Sequence, residues 1–245
     1  MSQYQKKTWT LGGCLADHRQ VILNLPRIAG AYVGPNSVAP DLNESVMVTV
    51  NSVNSCPFCE GLHGELARMA GVEDPQGLMK ASSEGECRSF VDDPAISYAR
   101  IFAERDGRGP AVDEAFDALS AATRPAYAAS VRALCWFLLW GSIGGNTINA
   151  FLSRLTGKAK AGSSFVFELL FFVYYGPLFL IIAIVNGLLR FAPRVPKWFS
   201  ASFGLLLTVI AGTWIVLPGL LGLVAGTKPR ILAHGEPSST GPGTS

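Results

Sequence analysis

The sequence predicts an all-α chain: a helical domain followed by two membrane-spanning helices. Three observations lead there. Apolar residues recur at helical spacing through the first two-thirds of the chain. No stretch alternates convincingly as a strand. Two uncharged runs of membrane length follow near the end. A mean hydropathy of +0.31 is unusual for a purely soluble domain. Residues 1–164 hold 15 Lys/Arg and 16 Asp/Glu, whereas residues 165–245 hold 5 and 2. The first part therefore reads as a globular domain and the second as apolar spans with basic flanks. Neither carries the basic stripe of a nucleic-acid binder.

Residues 14–34 read as a first helix ending near Pro35. Asp41 followed by Glu44 has capping-box spacing and places a second helix start near Leu42. Val46, Val48, Val50 and Val53 would also suit a strand, but no glycine separates this segment from the helical one after it. Ser55 is a suitable N-cap for a third helix beginning at Cys56, with Pro57 in its first turn and Gly71 as its stop. Residues 73–93 read as a loop or short helices. The segments 95–106, 112–122 and 124–154 complete an all-α domain over about residues 10–157.

Residues 133–153 are uncharged, but Ser142, Gly144, Gly145, Asn146, Thr147 and Asn149 mark them as a buried helix of the domain. The two runs expected to cross a membrane are 169–189 and 198–227. Pro177 and Pro218 lie inside them, which membrane helices tolerate. The expected organisation is a helical domain over 1–160, spans at about 168–190 and 199–226, and a disordered tail over 228–245. The N-terminus has two lysines and no apolar run behind them, unlike a secretory signal. Five basic residues beside the domain, against three between the spans, favour a domain on the cytoplasmic side.

Cys14, Cys87 and Cys135 are scattered, and Cys56 and Cys59 form the one close pair. That usage suits a reducing compartment with one active dithiol. His63 lies four residues after Cys59, so the two share a helix face, and an imidazole beside a thiol can take its proton. Cys56, three residues before Cys59, is close enough to close a disulfide, and its place at a helix start favours a thiolate. Glu44 on the preceding helix can orient the imidazole or relay its proton. As a zinc site, Cys56, Cys59 and His63 would lack a fourth ligand, since His18 and His234 are not spaced to supply one. No metal or bound cofactor is expected.

The pattern Glu44-x11-Cys56-x2-Cys59-x3-His63 resembles the signature of the AhpD-like alkylhydroperoxidases of the carboxymuconolactone decarboxylase superfamily. The resemblance covers about residues 10–157. It extends to the context of the pair, N-S-C-P-F-C-E-G-L-H, and to the later I-N-A-F-L-S-R-L-T-G. It implies an all-helical fold, assembly as trimers or hexamers, and thiol-dependent reduction of hydroperoxides. It makes Cys59 the peroxidatic thiol and Cys56 its disulfide partner, with Glu44 and His63 as proton relay. The implied electron donor is an external dithiol, on a lipoylated adaptor or a thioredoxin-like protein. The hydrophobic hairpin lies outside what the resemblance explains, and a lipid bilayer is its expected partner. A dithiol–disulfide oxidoreductase acting on partner-protein thiols is the alternative. Decarboxylase chemistry fits poorly, because that branch lacks the cysteine pair.

Overall fold

The computed structural model describes residues 6–84 and 93–226, with the backbone of 231–232. Its helices are α1 (Leu11–Tyr32), α2 (Pro40–Asn54), α3 (Pro57–Ala70), α4 (Pro75–Glu84), α5 (Pro94–Glu104), α6 (Pro110–Ala122), α7 (Pro125–Leu155), α8 (Phe165–Leu189) and α9 (Lys197–Ala225). One antiparallel pair joins β1 (Thr8–Trp9) to β2 (Ile231–Leu232), with Thr8 opposite Leu232. Two residues a side are too few for strand alternation to register in a sequence. The rest of the segment expected to be a disordered tail, beyond Gly226, lies outside the described residues, as does Cys87.

The helices are where the sequence puts them, but several ends differ for local reasons. Helix α1 begins at Leu11, because the Thr10 hydroxyl accepts from the Gly13 N–H at 3.1 Å. The capping box expected at Asp41 does not form. Helix α2 starts at Pro40 after Ala39, with Asp41 in its first turn, and Glu44 turns into the core. Ser55 is not the N-cap of α3 either. It ends α2 in the left-handed region at φ 52°, and Cys56 takes the capping position, its Sγ accepting from the Cys59 N–H at 3.4 Å. Pro57 is thus the first helical residue, and Gly71 closes α3 at φ +98°, where a side chain would be strained. Within residues 73–93 the described part forms α4.

Helix α2 is buried on nearly every side by α3, α4, α5 and α7, so its valines serve a helix surrounded by other helices. Helix α7 is the spine of the domain. Its small polar residues sit against the α2–α3 turn: Asn146 Nδ2 donates to the Asn54 carbonyl at 2.8 Å, and Asn54 Nδ2 donates to Ser142 Oγ at 3.0 Å. These bonds satisfy backbone and amide groups that burial would otherwise leave at a cost of about 1–3 kcal/mol each.

Among the described residues three helices are long and apolar enough to cross a membrane: α7, α8 and α9. They differ in cover. In its most apolar stretch α7 is 67% buried inside the protein, while α8 and α9 are 28% and 33% buried. At 1.5 Å per residue α8 and α9 extend about 37 and 43 Å, against roughly 30 Å of bilayer hydrocarbon. Their outward faces, including Leu170, Val173, Ile184, Val209, Leu217 and Leu221, are exposed and apolar. The chain is therefore an all-α protein with long apolar helices consistent with a multi-pass membrane region.

The hairpin is packed along the domain. Helix α9 runs antiparallel to α1, with Gly204 against Tyr32, Gly212 near Leu25, Gly219 against Ile22 and Gly222 against the Leu15 backbone. Small residues there let the two backbones approach. Helix α8 packs on α7 and α3. It starts at Phe165, ahead of the expected boundary at 169, where Ser164 Oγ accepts from the Phe167 N–H at 3.4 Å, and the acid inside it is paired, Arg154 Nε lying 2.7 Å from Glu168 Oε2. The α8–α9 connection is tied to the end of α3 by Arg68 Nη2 donating to the Leu189 carbonyl (2.9 Å) and the Val195 N–H donating to the Met69 carbonyl (3.1 Å).

Candidate redox site

The α2–α3 turn sets the site. Left-handed Ser55 reverses the chain and delivers Cys56 to the cap of α3, and one turn later Cys59 returns to the same end of the helix. The two cysteines are joined as a disulfide, with Cα atoms 5.3 Å apart. Their surroundings differ. Cys56 is fully buried, beneath α7 at Gly145, where a β-carbon would stand 2.6 Å from its Sγ and 3.2 Å from the Phe179 ring. Only glycine leaves room for that sulfur. Cys59, 8% exposed, lines a cavity.

Glu44 and His63 meet across the α2–α3 interface, His63 Nδ1 lying 3.0 Å from Glu44 Oε2, with side-chain exposures of 14% and 4%. A carboxylate accepts, so Nδ1 carries a proton, and in the neutral ring the lone pair is then on Nε2. Glu44, Cys59 and His63 line the same cavity. All four residues singled out by spacing are therefore gathered in one place: a buried cysteine pair with an acid–imidazole pair beside it, an arrangement that suggests a redox-active site.

The cavity is the part of the site that motif reasoning missed. It has a volume of about 930 Å³ including its open end. Its floor comes from α2, α3 and α7, and its walls from α8 (Leu178, Phe179, Ile182) and α9 (Leu207, Thr208, Ala211). Asn51 also lines it, about two turns beyond Glu44 on α2, and is 1% exposed. Neither its Oδ1 nor its Nδ2 has a hydrogen-bond partner among the described residues. The sequence held a signal for Gly145 and its neighbours, the run S-I-G-G-N-T inside an otherwise apolar helix. It held none for Asn51 or for the walls.

A second histidine–cysteine cluster lies behind the cavity lining, joined to it through Trp140. His18 is fully buried on α1, its Nε2 accepting from Trp140 Nε1 at 2.8 Å and facing the Tyr175 hydroxyl at 2.5 Å. Its proton therefore sits on Nδ1, 2.6 Å from the Cys14 carbonyl. Burial lowers the His18 pKa from 6.5 to about 4. Burial, with the Asp17 charge second, pushes the Cys14 thiol up. Asp17 itself accepts from Trp9 Nε1 at 2.8 Å and pairs with Arg108. Cys135 is likewise a buried free thiol.

Among the described residues no group of three or more His, Cys, Asp or Glu side chains is placed to hold a metal ion. No family model matches the chain, and neither the curated proteins nor the solved structures include a match to it.

Proposed function

We propose that the protein is a membrane-embedded, thiol-dependent hydroperoxide reductase. The observation that carries this reading is the asymmetry of the cysteine pair. One sulfur faces a cavity shared with His63 and Glu44, and the other is walled in behind it at the cap of α3. The motif's likeness to the AhpD-like alkylhydroperoxidases supports the same chemistry.

In the reduced protein His63 Nε2 takes the Cys59 proton, and Glu44 holds the imidazole in the required tautomer. The thiolate attacks the distal oxygen of R–O–O–H. The S–O bond forms as the O–O bond breaks, Cys59 is oxidised to a sulfenic acid, and RO⁻ leaves with the proton from His63 as ROH. Cys56 then attacks the Cys59 sulfur. The disulfide forms, and the sulfenic oxygen departs as water with the thiol proton. An external dithiol restores the pair by exchange at Cys59, itself ending as a disulfide, with Cys56 leaving. The Cys59 N–H that points at Cys56 Sγ stabilises the departing thiolate. A slender dithiol arm such as a lipoyl group suits the access to Cys59 better than the broad face of a thioredoxin-like protein. Direct exchange with partner-protein thiols, the alternative reading, is disfavoured by the burial of both sulfurs. The hairpin would lie in the bilayer, with the site on the side of the cytoplasmic dithiol pool.

Stopped-flow oxidation of the reduced protein, with mass spectrometry of the product, tests this. The expected result is a Cys56–Cys59 disulfide formed much faster than free cysteine oxidises, and reversed by a dithiol. A rate no faster than free cysteine would overturn it.

A further inference from the structure

The cavity is more than a vestibule for small peroxides. Helices α8 and α9 scarcely touch each other directly. The hydroxyls of Tyr174 and Tyr175 reach the Trp214 carbonyl at 3.1 Å across one end of the gap. Val185, Leu189, Phe203 and Leu207 cluster towards the other. Between these closures the gap stays open as the cavity. Its wall residues recur at helical spacing on both helices, 178, 182 and 185 on α8 against 204, 207, 208 and 211 on α9, so each helix gives one stripe. Ile181, 44% exposed, is the one lining residue in the open. The mouth therefore lies on the apolar face of the hairpin, away from the polar surface of α4 to α6.

Part of the lining is chemically different. Cys59 and His63 belong to it with Asn51, whose buried amide has no partner among the described residues. A buried amide left unpaired is costly, and a ligand that brings an oxygen to it removes that cost. A mostly apolar cavity whose lining includes an unpartnered amide, a cysteine and an imidazole is matched by an amphiphile with a long hydrocarbon chain and an oxygen-bearing group.

We infer that the α8–α9 cavity is the binding site for the hydrocarbon chain of a lipid hydroperoxide, which approaches from the bilayer between the two helices and sets its oxygens against Asn51 beside Cys59. This rests on the peroxidase reading for its chemistry but not for its occupancy. The reaction is the one given above, ROOH to ROH, with R a long chain. Asn51 is a binding residue here, and Ile182, Leu207 and Ala211 determine chain length.

The test uses the full chain in lipid nanodiscs, with two separate readouts. The first is occupancy. A long-chain fatty acid carrying a diazirine is photolysed, and the adducts are mapped by mass spectrometry. Adducts on Ile182, Leu207 and Ala211 are expected. Adducts confined to the outer faces, at Val173, Ile184 or Val216, would overturn the inference whatever the redox result. The second is selectivity. Disulfide formation is timed with a linoleic acid hydroperoxide and with tert-butyl hydroperoxide. Ala211→Phe, which narrows the cavity, is expected to slow the long-chain substrate at least about tenfold more than the small one. Disulfide formation driven by the small peroxide shows the site is folded. Leu207→Gln is the second variant should Ala211→Phe misfold, with the same split expected. Asn51→Leu should slow both substrates by about tenfold. Equal slowing of both substrates by the wall variants, or no slowing by any variant, would overturn the inference. If no peroxide oxidises the wild type faster than free cysteine while the wall adducts persist, the peroxide chemistry falls and the chain-binding site stands.

Discussion

The molecule contains the same local pattern twice, a cysteine followed four residues later by a histidine on one helix face: Cys14 with His18 on α1, and Cys59 with His63 on α3. Their fates are opposite. His18 is enclosed by Trp9, Trp140 and Tyr175, its Nε2 committed as an acceptor and its Nδ1 proton committed to a carbonyl. No lone pair is left for Cys14. His63 has one nitrogen fixed by Glu44, and it lines a cavity together with its cysteine. Spacing brings a thiol and an imidazole together. An acid partner and a cavity beside the sulfur are what would suit the pair to chemistry, and these come from α2, α8 and α9 rather than from the motif's own helix alone.

The widest separation between the two clusters is expected on removing the sulfur. Cys59→Ser should abolish peroxide-driven disulfide formation, whereas Cys14→Ser should leave its rate unchanged, both read by stopped-flow. If Cys14→Ser also abolished it, the two clusters would not be functionally distinct. Next is pH. The His18 pKa is lowered in the folded protein to about 4 from 6.5, so the unfolded chain binds the extra proton first. Its neutral burial costs nothing above pH 6.5. Stability should then fall as pH drops from 6.5 towards 4, by up to about 3 kcal/mol, and fall no further below that from this group. Denaturation of His18→Gln over the same window should show a flatter slope.

A smaller effect is expected at the acid partners. Glu44→Gln keeps an acceptor but loses the charge, and should slow peroxide reduction roughly 10- to 100-fold with little change in substrate affinity. Asp17→Asn should leave turnover intact and register only in stability. Smallest is the packing term. Gly145→Ala forces the Cys56 sulfur or the Phe179 ring to shift and should cost about 1–3 kcal/mol in thermal unfolding of the oxidised form. Introducing the same change at Gly141, where a β-carbon meets nothing within 4 Å, is the control.

The helices were legible because their signals are local. Gly71 stops α3, Pro57 opens it, and apolar residues recur every three to four positions in α5 and α7. The clustering of the four candidate residues was legible for the same reason, three of them lying within two turns of one helix. Caps were misread where one residue could serve two masters. Ser55 suits an N-cap by type, but the reversal between α2 and α3 needs a left-handed residue there, and Cys56 caps instead. Asp41 and Glu44 have the spacing of a capping box, yet the pull of His63 across the helix interface takes Glu44 inward. Such competition is decided by partners far off in the chain. The cavity was illegible for that reason in full: its walls come from residues 178–185 and 204–211, more than a hundred positions from Cys59, and it exists because α8 and α9 stand apart.

Cys56 has a further consequence through its position. With that sulfur sealed beneath Gly145, the oxidant and the reductant of the proposed reaction would both have to reach the pair at Cys59. They would not react there together. Turnover would follow a ping-pong scheme, with parallel lines in double-reciprocal plots. The alcohol left behind by one half-reaction would compete with the electron donor of the next, so a long-chain alcohol added to the assay would slow recycling before it slowed oxidation.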